Sequence, residues 1–102
     1  MGAQGTATID FGAFPGKADT SVAVTGQTGI LSGSLVEAWI QPAATADHSA
    51  DEHMVENIRV VAGSIVAGTG FTIYAFTRYD NLGTGRDANF LYGQWNVAWV
   101  WN

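Results

Sequence analysis

Two stretches of this chain alternate side-chain character with a period of two. They are Gly70-Phe71-Thr72-Ile73-Tyr74-Ala75-Phe76-Thr77 and Trp95-Asn96-Val97-Ala98-Trp99-Val100-Trp101. Both are rich in aromatic and β-branched residues, which pack well on a pleated, half-buried surface. Such a period suits strands and cannot be kept by a helix, whose apolar positions recur every three to four residues. In the first stretch two inward sets are open: Phe71, Ile73 and Ala75, or Tyr74 and Phe76. In the second, Trp95, Val97, Trp99 and Trp101 share one face.

Shorter versions of the pattern recur between turn residues. Residues 6–11 place Ala7, Ile9 and Phe11 together, and residues 20–25 do the same for Val22 and Val24. Residues 35–41 put Val36, Ala38 and Ile40 on one side and Glu37, Trp39 and Gln41 on the other; Pro42 ends the run because it brings no N–H to a ladder. Residues 57–62 resume the alternation. Residues 12–16 read as a turn, 26–33 as a broad connection, 63–70 as a Gly-rich turn with at most a brief pairing at Ile65 and Val66, and 80–93 as a long loop. The sum is six strands, no long helix and no internal repeat. The expected fold is all-β, an antiparallel β-sandwich of about six strands, with a small β-barrel as the alternative. At 102 residues the chain suits one domain, 1–102, around a single core.

Composition narrows the function. Charged residues make up 13% of the chain, about half the usual share, so part of the surface is expected to lie against another subunit. The net charge is −5, and the basic residues Lys17, Arg59, Arg78 and Arg86 are scattered; a nucleic-acid partner, which needs clustered cations, is not expected. With no cysteine, disulfides, thiolate catalysis and Cys-ligated zinc are excluded. No run approaches the ~20 apolar residues of a membrane span, and the first residues carry neither the basic nor the apolar part of a secretory signal.

Four groups of residues are candidates for chemistry. Residues 47–56 gather His48 and His53 with four carboxylates. The histidines are five apart, whereas the helical zinc signature needs four, and the calcium-loop pattern is absent. Ser49 followed by Glu52 is a capping box, so the segment reads as a solvated loop with one helical turn and no metal. Asp10, Asp19 and Glu37 flank strands without forming a legible catalytic pair, and the chain reads as no enzyme and as using no cofactor. Arg78, Tyr79 and Asp80, with Trp39, are the candidate ligand-binding residues: a ring offers a flat apolar face to a sugar, and the polar groups orient hydroxyls. In the aromatic strand Trp99 is expected in the core, with Trp95 and Trp101 at a subunit interface.

From residue 57 onward the chain resembles the H-type lectin domain. The likeness is carried by Ile58-Arg59-Val60, by Ser64 through Tyr74 with its Gly70-Phe71 entry, by Thr77 through Asp80, and by Val97-Ala98-Trp99; Val36 through Ile40 supplies an earlier strand. The family places a Trp after the Thr of its binding hairpin. This chain has Arg78 there, followed by a longer insert from Asn81 to Tyr92. The resemblance implies a six-stranded antiparallel sandwich that forms a homo-trimer. The chain also resembles small virion proteins of tailed bacteriophages, through Ala7-Thr8-Ile9-Asp10-Phe11-Gly12, Thr25-Gly26-Gln27-Thr28-Gly29-Ile30 and the run from Ile65 to Ile73. That likeness implies a structural component of the virion, in a tail fibre, tail tip or capsid decoration, with other virion proteins as partners. The alternative it leaves open is a receptor-binding module for host-surface glycan.

Overall fold

A computed structural model describes residues 2–13, 16–17, 19–55, 58–77 and 91–102. In chain order the elements are β1 (Ala3–Asp10), β2 (Asp19–Val24), β3 (Val36–Ile40), α1 (Ala50–Val55), β4 (Ile58–Val66), β5 (Gly70–Thr77) and β6 (Gln94–Trp101). They form two three-stranded antiparallel sheets, β1-β6-β3 and β2-β5-β4. Among the described residues the two ladders stay separate, so the architecture is a sandwich and not a closed barrel.

The two most strongly alternating stretches of the sequence become the central strands, β5 in one sheet and β6 in the other. A central strand is paired on both edges, and its inward side chains meet the middle of the opposing sheet. Phe71, Ile73 and Ala75 are the inward set of β5, all buried, while Tyr74 on the other side is exposed. Across the gap Phe71 meets Trp99 edge-on, ring centroids 5.5 Å apart at 76°, an arrangement that aromatic quadrupoles favour. Ile9, Phe11 and Val97 complete the middle of the core, and Ile30 is folded into it from the 25–35 connection. That connection is fastened by Gly68 N–H donating to Ile30 O at 2.8 Å and Gln27 N–H to Thr69 O at 2.9 Å.

Two glycines are needed by close approach. Gly5 lies opposite Trp99 in the β1–β6 ladder, and a Cβ there would come within 2.6 Å of the indole. Gly70, at φ 158°, opens β5 where a Cβ would run into the carbonyl oxygen of Val24.

The structure changes three sequence expectations. The Gly-rich stretch after residue 62 is not a turn: β4 continues to Val66, through a register shift between Gly63 and Val66 with Ser64 at φ 54°. The reversal itself occupies only residues 67–69. Trp95 and Trp101, expected at a subunit interface, are 1% and 5% exposed within one chain. The parity of β6 points them inward with Trp99, and local structure covers the two ends of the strand. Finally, the polar segment before β4 forms its helical turn and exposes Asp47, Asp51 and Glu52, as a solvated loop does, but both of its histidines are buried.

Candidate functional site

Among the described residues, polar and aromatic groups outside the core gather on the outer face of the β2-β5-β4 sheet, where Tyr74 edges a hollow of about 730 Å³ with Lys17, Asp19 and Thr20, and on three further surfaces. The first is the end of the sandwich where β6 begins. Residues 43–53 cross from one sheet to the other and are tied to β6 by a series of hydrogen bonds. Asn96 Nδ2 donates to Ala43 O at 2.8 Å, Thr45 Oγ1 donates to Gln94 O at 2.8 Å, and Asp47 Oδ2 accepts from Gln94 N–H at 2.8 Å. The capping box forms as its spacing requires: Ser49 N–H donates to Glu52 Oε1 at 2.6 Å and Glu52 N–H to Ser49 Oγ at 3.3 Å. This first donor, more than the nearby histidines, holds the Glu52 carboxyl below its ordinary value.

Both imidazoles face Trp95. His48 stacks on the indole with centroids 3.8 Å apart and planes 19° apart, and His53 meets it edge-on at 4.9 Å and 61°. Their hydrogen bonds assign opposite tautomers. His48 Nε2 faces the carbonyl of Tyr92 at 2.6 Å and must donate; Trp95 Nε1 donates to the same oxygen at 3.1 Å. Its Nδ1 is buried without a hydrogen bond, 3.5 Å from Glu52 Oε2 and so within ion-pair reach only. In His53 the roles are reversed: Nε2 accepts from Asn96 N–H at 2.9 Å, so the proton sits on Nδ1 and is donated to Ser49 O at 2.8 Å. Three of the four ring nitrogens are thus committed to backbone groups. Among the described residues no group of three or more metal-ligating side chains converges.

The second surface is the outer face of the β1-β6-β3 sheet. Trp39 stands there, 46% exposed, opposite the small residue Ala98, which in turn lies opposite Thr6. Because Ala98 is short, the row between Trp39 and β1 is a hollow of about 300 Å³, edged by Gln4, Thr6 and Gln41. The amides of Gln4 and Gln41 and the hydroxyl of Thr6 make no hydrogen bond to another described residue. Of the candidate ligand-binding residues, Trp39 is therefore placed in a groove. Arg78, Tyr79 and Asp80 lie outside the described residues.

The third surface is the opposite end of the sandwich, where β6 finishes. Leu35 and Asn102 exchange backbone hydrogen bonds of 3.0 and 2.9 Å, and Trp101 is anchored below them by Nε1 donating to Gln27 Oε1 at 2.9 Å. Leu31 and Leu35 border this floor and Val66 precedes Ala67 on its rim; the three are 68, 77 and 57% exposed. A shallow hollow of about 630 Å³ separates Leu31 from Ala67 over Trp101. Sequence reasoning assigned neither this end nor the burial of His48 and His53. Leucines in a Gly-rich connection and histidines in a polar run carry no periodic signal. Comparison with known protein families, with curated proteins and with solved structures finds no match to this chain.

Proposed function

We propose that this protein is a non-enzymatic structural module of a tailed-bacteriophage virion, a β-sandwich that associates with copies of itself as a trimer and with neighbouring virion proteins. The virion setting rests on the sequence resemblance. The observation that carries the assembly reading is the apolar end formed by Leu31, Leu35 and Val66. Three aliphatic side chains more than half exposed, in a chain with only 13% charged residues, are what an association surface looks like before its partner arrives. This end replaces the tryptophan stripe as the contact: Trp101 forms its floor, and Trp95 lies at the other end of the strand. Burying these side chains between copies would supply a hydrophobic centre, with specificity set by the shape of the hollow beside them. Sedimentation equilibrium over a range of protein concentrations tests this. The expected result is a trimer that Leu31→Ser with Leu35→Ser converts to monomer; a monomer at every concentration contradicts it.

A second reading is favoured by Trp39. An exposed indole beside uncommitted amides and a hydroxyl suits an uncharged saccharide: the ring meets C–H faces, and Gln and Thr side chains donate and accept as hydroxyls do. The hollow's volume of about 300 Å³ is at the small end for ligand sites and matches a short ligand. A glycan array with the intact protein, repeated with Trp39→Ala, checks this reading. Specific, competable binding lost in the variant supports it, and an array without signal removes it.

A further inference from the structure

We propose that His53 is an acid-sensitive clasp whose protonation releases the 43–53 segment from β6 and uncovers Trp95. This goes beyond the assembly reading, which concerns the other end of the sandwich.

The geometry carries the inference. His53 is 3% exposed and both of its nitrogens are committed, Nδ1 as a donor to Ser49 O and Nε2 as an acceptor from the backbone N–H of Asn96. Only the neutral Nδ1–H imidazole satisfies both. A second proton would have to enter on Nε2, where it would point at the N–H of Asn96; two donors would then face each other with no acceptor between them. The ring must leave or the segment must move, because a buried backbone N–H also needs a partner.

Among the described residues the carboxylate of Glu52 is within coulombic reach of His53, but it offers no acceptor to the nitrogen that a second proton would occupy. β6 presents to it the Asn96 N–H and the edge-on indole of Trp95. On α1 the carboxylate of Glu52 is engaged by Ser49 N–H and lies nearest His48, 3.5 Å from its Nδ1. Asp47 is held by Gln94 N–H, and Tyr92 presents its ring and carbonyl to His48. His48 shares the same indole, and its bare Nδ1 faces Glu52, so a proton there gains an ion pair. Only His53 has a backbone N–H directed at the nitrogen that a second proton would occupy, so the clasp is His53.

The test uses the intact protein with ¹⁵N-labelled histidine and tryptophan, titrated with acid. Ring-nitrogen shifts report tautomer and protonation, amide exchange reports Asn96, and the indole N–H signal reports Trp95. The expected result has three parts. At neutral pH His53 is the Nδ1–H tautomer; its protonation coincides with loss of Asn96 protection and exposure of Trp95; and the amides of β4 and β5 stay protected. Glu52→Gln should keep this step and His53→Gln should abolish it, since an amide can donate and accept but takes up no proton. An Nε2–H tautomer at neutral pH, protonation of His53 with Asn96 still protected, or a step that disappears in Glu52→Gln overturns the proposal. The tautomer and the Glu52→Gln result decide it even if His53→Gln does not fold.

Discussion

The imidazole of His48 lies flat on the indole of Trp95, with centroids 3.8 Å apart and planes 19° apart. A polar segment thereby closes an apolar end of the sandwich: it supplies aromatic faces for packing and commits three of its four imidazole nitrogens to backbone groups of Tyr92, Ser49 and Asn96. Those bonds offset most of the cost of burying the two rings, since a buried polar atom without a partner forgoes water.

The first expectation follows from that closure. His53→Ala leaves the Asn96 N–H without its acceptor and is expected to destabilise the fold by about 1–3 kcal/mol, the usual cost of an unsatisfied buried donor. His48→Ala removes the stacked ring and a donor to Tyr92 O, for a loss of about 1–2 kcal/mol. Urea denaturation of each variant measures both.

Close packing over β1 gives a second. Gly5→Ala would place a Cβ within 2.6 Å of the Trp99 ring, an overpacking that costs about 1–3 kcal/mol. Gly70→Ala should cost more, because its neighbour is the backbone carbonyl of Val24, which cannot rotate away as a side chain can. Thr6→Ala, next to Gly5 and exposed, should change stability by no more than about 0.5 kcal/mol. The order of the three midpoints in denaturant is the check.

The tryptophans should divide sharply. Trp99→Ala opens a cavity beneath both sheets and is expected to cost about 3–5 kcal/mol. Trp39→Ala removes a half-exposed ring from the outer face and should cost about 1 kcal/mol or less. Thermal unfolding of the two variants would show the difference directly; equal losses would mean that the assigned faces of β3 and β6 are wrong.

Glu52 sets a pH dependence with a definite sign. Its folded-state value lies below the ordinary glutamate value of 4.5, chiefly because Ser49 N–H donates to it and secondarily through His48. A lowered carboxyl contributes stability that is fully present above the ordinary value and is lost as pH falls through the folded one. Helix content at residues 50–55 should therefore fall in that acid range in the wild type, whereas Glu52→Gln should flatten this limb. Circular dichroism against pH, with and without the substitution, checks it.

Much of this fold is legible in the residues themselves. Period-two alternation placed the six strands, and the parity of Phe71, Ile73 and Ala75 matches the buried face of β5. The capping box at Ser49 and Glu52 was also readable, because it depends on a spacing of three and on nothing distant. What escaped was long-range. Parity shows that Trp95 and Trp101 share a face with Trp99 but not whether that face is inside, and a contact between residues 48 and 95 has no local trace. Nor does a serine announce that it will take φ 54°, so the bulge that lets β4 run to Val66 reads as a turn. Trp39, by contrast, falls by alternation on the face of β3 opposite Ala38, and that is where it stands.

We propose that copies of this chain meet at the end that carries Leu31, Leu35 and Val66. Amide hydrogen exchange, compared between dilute protein and protein concentrated enough to associate, addresses it most directly. Protection gained at residues 31–35 and 66–69, with the outer faces of both sheets unchanged, is the predicted result. Gained protection confined to a sheet face, or none at any concentration, would contradict it.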